Sequence, residues 1–220
     1  MNKSIYLSHP LSNDTPLYGG AKDINLEQNT SISKGDTANS LTLSFPNHAG
    51  THVDVPKHFV DNGKCLTDYV PSFWIFNNPI MIDIKCYDGQ LLNTSHIPNN
   101  FPIDIDLLLI RTGYEQYRGQ DRYWKKNPGL SIEIAQLLRK KYKYLRAVGI
   151  DTISISSRLH REEGRKAHKE FFKSDTSLPQ PIVLIEDMAL LKYHRGIRKI
   201  IVCPLIIEGG DGAPCTVLGI

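Results

Sequence analysis

The sequence predicts an α/β fold in which a mixed β-sheet is combined with a few helices. Apolar and β-branched runs of strand length recur along the 220 residues, and two segments in the second half have helical periodicity. No repeat, low-complexity tract or interdomain linker interrupts the chain. With a hydrophobic fraction of 40%, this length suffices for one sizeable core, so residues 1–220 are predicted to form a single domain.

The first part of the chain is predicted to contain strands and loops. Residues 4–8 form a short strand that ends at His9 and Pro10. Residues 30–33 and 40–45 alternate or carry β-branched side chains, which favours strands. Residues 79–84 form an apolar run that is typical of a buried strand.

The second part alternates strands with helices. A helix is predicted from Ser131 to about Lys143, because Ser131 suits an N-cap, Glu133 lies in the first turn, and apolar positions fall on one face. Residues 164–172 form a second, short helix. Further strands are predicted at 106–111, 147–151, 182–185 and 199–202.

Composition argues against several functional classes. No apolar run approaches the roughly 20 residues that span a bilayer, and the first residues lack the apolar core of a signal peptide, so a cytoplasmic protein without membrane contact is predicted. The four scattered cysteines indicate neither a disulfide framework nor a thiolate zinc site. Net charge is only +3, and the basic stretches 139–146 and 158–169 have helical character, which favours solvated helix faces over nucleic-acid binding.

A histidine-rich run at residues 47–59 is the strongest functional signal. Three of the chain's eight histidines, His48, His52 and His58, lie within it together with Asp54. All four numbers are even, and alternate side chains of an extended chain lie on one side. Two imidazoles and a carboxylate that converge in this way make half or more of a first-row metal site.

His48 and His52 also have the i, i+4 spacing of helical zinc motifs. Gly50 and Pro56 disfavour a helix, and no glutamate directly follows His48. We therefore predict an irregular strand that leads into a turn at Pro56, with Gly50 permitting a close backbone approach. A loop of solvated histidines is the alternative, and the combination of ligand types favours the metal.

This run resembles the signature of the cyclase-type metal-dependent hydrolases, a family that includes the bacterial kynurenine formamidases. Residues 5–11 are similar to the family's opening strand, although Tyr6 stands where an aspartate is usual. Segments 109–113, 128–131, 148–152 and 204–214 resemble later family blocks in the same order. The resemblance covers essentially the whole chain, and it implies a swivelling β/β/α fold and a homodimer or homotetramer.

The resemblance also implies a second metal position, completed by His168 and Glu186. Residues 166–171 are similar to the block that carries the family's histidine, and residues 184–188 to the block that carries its glutamate. The interval 173–181 is longer than usual. From the residues alone, His168 could instead be a surface histidine among lysines. Asp187 is the alternative to Glu186 as the metal ligand. Glu186 is favoured because the residues before it match the family block without a gap.

The family resemblance assigns the remaining roles. His58 is implied as the acid/base that moves a proton from water to the leaving amine, the alternative being a histidine that orients a metal ligand. Tyr18 takes the place of the tryptophan that stacks on the substrate in the formamidases. Nitrogen and oxygen ligands suit zinc and manganese, so one or two divalent ions per chain are expected, with zinc preferred.

The predicted function is hydrolysis of an amide carbon–nitrogen bond by metal-activated water. The substrate is a small aromatic or cyclic amide, with N-formylkynurenine as the leading candidate. Ring opening of a cyclic amide such as isatin, or a cyclase or dehydratase reaction, would use the same site. A non-catalytic metal-binding protein is the alternative from another class; it needs the same ligands but has no use for His58.

Overall fold

The computed structural model describes residues 4–98, 100–174, 180–191, 193 and 196–220. Its strands are β1 (Ile5–Tyr6), β2 (Asn25–Thr30), β3 (Ser40–Ser44), β4 (His52–Asp54), β5 (Ile75–Phe76), β6 (Pro79–Asp83), β7 (Leu91–Leu92), β8 (Leu107–Arg111), β9 (Gly129–Leu130), β10 (Ala147–Ile150), β11 (Val183–Glu186), β12 (Ile200–Pro204) and β13 (Gly212–Gly219). Its α-helices are α1 (Asp121–Lys125), α2 (Ile132–Lys141) and α3 (Arg161–Phe172).

Nine of these strands form one mixed sheet, which confirms the predicted α/β class. The strand order is β5-β12-β13-β4-β11-β10-β8-β6, and β1 pairs with β13. Strands β6, β8, β10 and β11 are parallel, whereas β4 is antiparallel to both of its neighbours, β11 and β13. The short strand β4 therefore lies in the interior of the sheet, between segments from the last third of the chain.

The sheet has a buried apolar layer on each face. In β8, Leu108 and Ile110 pack with residues of α2 and α3, whereas Leu107 and Leu109 belong to the opposite layer. Side chains on a strand alternate between faces, so a continuous apolar run such as residues 107–110 supplies both layers. This arrangement fixes α3 against the sheet and thereby brings one face of α3 toward β4 and β11.

Most predicted elements agree with the structure to within a few residues, and one does not. The strand predicted at 30–33 is wrong, since β2 ends at Thr30 and Ile32–Lys34 forms a 3₁₀ turn. Strand β13 was not predicted, because glycine and Pro214 weaken its strand signal. In the long interval 173–181, residues 175–179 lie outside the described residues. None of the helices in the described part of the chain is long and apolar enough to cross a bilayer.

Candidate metal centre

Strands β4 and β11 bring three of the predicted ligands together. His52 and Asp54 are two residues apart on β4, and Glu186 lies directly opposite His52 on β11. Residues two apart on a strand, and residues opposite each other on antiparallel strands, share a face. His52 Nε2 accordingly lies 3.2 Å from Asp54 Oδ1 and 3.5 Å from Glu186 Oε2, and all three side chains are buried.

His48 and His58 reach the same place by turns rather than by strand alternation. Gly50 has a φ of 64°, a left-handed conformation that favours glycine, and the chain bends there between His48 and β4. His48 Nδ1 lies 2.7 Å from Asp54 Oδ1. The 3₁₀ turn Pro56–His58 returns the His58 ring to 4.1 Å from the His48 ring, measured between centroids. The common face that the even numbering predicts thus applies only to His52 and Asp54.

Helix α3 contributes His168 to the centre. This histidine is only 2% exposed, and its Nε2 lies 3.6 Å from Asp54 Oδ2 and 3.4 Å from Glu186 Oε1. Its other ring nitrogen, Nδ1, is 2.8 Å from the carbonyl oxygen of Gly164, to which it donates. That hydrogen bond leaves Nε2 unprotonated in the neutral ring, as a metal ligand must be.

The donor atoms fall into two overlapping groups that share Asp54. His48, Asp54 and His58 form one group, and His52, Asp54 and Glu186 form the other; within each, the donor atoms lie within 4.8 Å of one another. The first group places His58 within reach of an ion that His48 and Asp54 could hold. Imidazole nitrogens and carboxylate oxygens are ligands that suit zinc, manganese and related divalent ions.

The electrostatics of the centre favour a bound cation. Burial lowers the pKa of His52 and of His168, but the Asp54 and Glu186 carboxylates outweigh burial and raise these pKa values to about 9 and about 10. Burial raises the pKa of Asp54, yet the surrounding imidazoles hold it well below the usual range. Buried carboxylates that retain protons on adjacent imidazoles can exchange those protons for a divalent ion, so the residues fit a metal.

Asp211 is a further polar residue of the centre that sequence reasoning missed. Its Oδ2 accepts a hydrogen bond from His58 Nδ1 at 2.7 Å and lies 3.1 Å from His48 Nε2. Burial raises the pKa of Asp211, but the hydrogen bonds with His58 and His48 outweigh it and lower the pKa to about 2. The next residue, Gly212, pairs with Asp54, and a Cβ there would overlap the His48 ring. The glycine therefore lets β13 carry Asp211 to the two histidines.

Glu186 and Asp187 have different surroundings although they are adjacent. Asp187 accepts hydrogen bonds from Arg118, with Nη2 to Oδ2 at 2.7 Å, and from Tyr123 Oη at 2.5 Å. Its φ of 52° turns the backbone out of β11 at this point. Glu186 Oε1 instead accepts from Ser154 Oγ and the Ile155 amide, beside the imidazoles.

A cavity of about 310 Å³ opens onto the donor groups. Tyr18, the predicted substrate-binding residue, lies on its wall, and Phe59 stacks on His168 with ring centroids 4.5 Å apart. Two arginines of α3, Arg161 and Arg165, also line the cavity and were not predicted. Sequence reasoning assigned them to a solvated helix face, and only the packing of α3 reveals their position.

We expect Glu186→Gln and Asp187→Asn to have opposite phenotypes. The first removes a carboxylate beside two imidazoles, so metal content should fall toward one ion per chain and turnover by about 10–100-fold or more. In Asp187→Asn, the asparagine tolerates the positive φ of this position, but the buried ion pair with Arg118 is weakened. The free energy of unfolding should therefore fall by on the order of 3 kcal/mol while metal is retained. Elemental analysis and thermal unfolding of both variants measure these effects. Full metal in Glu186→Gln with loss in Asp187→Asn would transfer the ligand role to Asp187.

Comparison with known proteins places the chain among hydrolases. A family model described as putative cyclase matches residues 5–157. The kynurenine formamidase of Bacillus anthracis is 26% identical over 223 aligned positions, an alignment that covers 97% of this chain and 95% of the relative.

Solved structures agree with the fold. Isatin hydrolase A from Labrenzia aggregata, in a structure with bound benzyl benzoate, matches with a TM-score of 0.80 at 20% identity and covers 99% of this chain and 93% of its own. A structure described as a predicted metal-dependent hydrolase from Bacillus stearothermophilus matches with a TM-score of 0.77 at 21% identity, covering 99% and 97%. The fold expected from the family resemblance is therefore confirmed.

Proposed function

This chain belongs to the putative cyclase family and is a hydrolase of carbon–nitrogen bonds other than peptide bonds, and from that premise we propose that it cleaves a small aryl formamide with the help of a divalent metal ion. One observation carries the proposal. Three imidazoles and two carboxylates converge, largely buried, where the sheet meets α3, and a cavity that Tyr18 lines leads to them.

The residues that would hold the ion are His48, His52, Asp54, His168 and Glu186. A divalent ion bound among them supplies Lewis-acid chemistry, which lowers the pKa of water and polarises a carbonyl oxygen. Asp54 faces imidazoles with both carboxylate oxygens, Oδ1 toward His52 and Oδ2 toward His168, so either oxygen would be available to an ion held there. We propose zinc, with manganese as the alternative and one or two ions per chain.

His58 is proposed to carry the proton during hydrolysis. Its Nδ1 donates to Asp211, which leaves Nε2 as the basic atom of the neutral ring. The side chain is 30% exposed and lines the cavity. Nε2 can therefore take a proton from the attacking water and return it to the amine that leaves, while Asp211 keeps the ring in one tautomer and orientation.

Tyr18 and Phe59 are proposed to hold the substrate in the cavity. Both present aromatic surface, and an aryl amide can stack on such a wall. N-Formylkynurenine is the first candidate, because the curated relative is a kynurenine formamidase. Isatin-type cyclic amides are the second, because a solved structure of the same fold is an isatin hydrolase. A cytoplasmic homodimer or homotetramer completes the proposal.

A substrate panel tests this function. We expect the zinc- or manganese-loaded protein to hydrolyse N-formylkynurenine or formanilide, to lose that activity after exhaustive chelation, and to regain it with the ion. Isatin and small lactones in the same panel distinguish the second candidate, since their hydrolysis would favour cyclic substrates over formamides. Hydrolysis that persists after elemental analysis shows the metal to be gone would overturn the metal-dependent mechanism. If the protein binds the ion but hydrolyses no compound of the panel, the result would favour the alternative of a non-catalytic metal-binding protein.

A further inference from the structure

One face of α3 carries both a proposed metal ligand and two arginines. Arg161, Arg165 and His168 are spaced i, i+4 and i+7, positions that lie on one side of a helix. All three line the same cavity. With a rise of 1.5 Å per residue, the arginines lie roughly 10 and 5 Å from His168 along the helix axis, toward its amino terminus. They therefore form the part of the cavity wall farther from the donor groups.

These two arginines have no acidic partner in the described part of the chain, where no carboxylate forms an ion pair with either guanidinium. Other charged residues of the same helix do form an ion pair, since Lys166 Nζ lies 2.7 Å from Glu163 Oε1. Arg161 lies instead beside the Tyr18 hydroxyl: burial raises the pKa of Tyr18, and Arg161 opposes that rise. The positive charge on this wall is consequently available to a ligand.

The charges inside the cavity are distributed unevenly. Its carboxylates, Asp54 and Glu186, are buried against imidazoles at the inner end, and a bound ion would neutralise them further. The wall near Tyr18 carries Arg161 and Arg165, neither of which forms an ion pair with a described carboxylate. A guanidinium binds a carboxylate through two parallel, charge-assisted hydrogen bonds. A neutral amide or an ammonium group on the ligand could not accept such a pair of bonds from the guanidinium.

We propose that Arg161 and Arg165 bind a carboxylate on the substrate, so that the preferred substrate is an anionic aryl formamide. The scissile amide would lie at the donor groups, the ring beside Tyr18, and the carboxylate against the arginines. A cavity of about 310 Å³ is at the small end for ligand sites, which suits a single ring carrying both groups. This inference rests on the proposed function, because the amide is positioned by the metal centre.

The test compares formanilide with its ortho-, meta- and para-carboxylates. In the metal-loaded protein, kcat/KM for at least one carboxylate isomer should exceed that for formanilide by roughly 10–100-fold, the factor expected for a charged hydrogen-bonded pair. The double variant Arg161→Gln/Arg165→Gln should lose this preference, and the corresponding double Arg→Lys variant should retain part of it. Lys169→Gln is the matched control, since Lys169 is on the same helix but outside this cavity.

The outcomes separate this inference from the proposed function. The role of the arginines would be overturned, and the hydrolase left intact, by either of two results. One is turnover of formanilide with no preference for any carboxylate isomer, and the other is a preference that the double Gln variant keeps. If no formamide is hydrolysed, the proposed function fails, and calorimetry decides the arginine role by itself. Para-acetamidobenzoate should then bind the native protein more tightly than acetanilide, and the double Gln variant should lose the difference; equal binding would overturn the proposal.

Discussion

Replacement of Asp54 by asparagine should remove both bound metal and hydrolysis. Asp54 is 1% exposed and is the one carboxylate shared by both donor groups. Asparagine retains the volume but removes the charge and one potential ligand oxygen. The loss of turnover should therefore exceed the roughly 10–100-fold that is typical when a partner outside the ligand set is changed.

Folding of the Asp54→Asn variant needs an independent check because the site is buried. Without the carboxylate, His52 and His168 lose one of the two anions that raise their pKa values, so both rings become easier to deprotonate and need not remain as buried cations. We expect a native circular dichroism spectrum with no stoichiometric metal by elemental analysis. Asp61→Asn, at an exposed position, is the matched control and should retain metal and turnover. Stoichiometric metal in Asp54→Asn would mean that the centre is placed wrongly.

The part of the centre that depends on local geometry was predictable from the sequence. The alternation of side chains along a strand is a local rule, and it correctly places His52 and Asp54 on one side. The same rule does not bring in His48, which returns through the turn at Gly50, or His58, which returns through a 3₁₀ turn. The even spacing of the four residues indicated their convergence, but two of them converge for a different reason.

The rest of the centre depends on contacts between distant segments, which local patterns do not contain. Asp211 meets His48 across 163 residues because β13 pairs with β4, and β13 has a weak strand signal. Arg161 and Arg165 read as solvent-facing positions until α3 is packed against the sheet. His168 lies on that same helix, and the family resemblance rather than its own surroundings distinguished it from a surface histidine.

Replacement of His58 by alanine should lower turnover strongly and leave the metal in place. General acid/base groups typically contribute about 10²–10⁴-fold to rate, so a loss of that size is expected if His58 moves the proton. The structure also allows a different role, since His58 lies with His48 and Asp54 within 4.8 Å. If His58 is a metal ligand, the His58→Ala variant should bind less metal than the native protein. Elemental analysis of His58→Ala at saturating and limiting metal separates the two roles.

Asp211→Asn supplies the companion measurement, because it acts on His58 without removing the imidazole. The Asp211 carboxylate accepts from Nδ1 and holds the ring in one tautomer and orientation, so its loss should leave the His58 ring less well oriented. If His58 is the general base, kcat should fall while the metal content stays unchanged. Asp61→Asn again serves as the control. An unchanged kcat in Asp211→Asn, together with metal loss in His58→Ala, would make His58 a ligand and require another group to carry the proton.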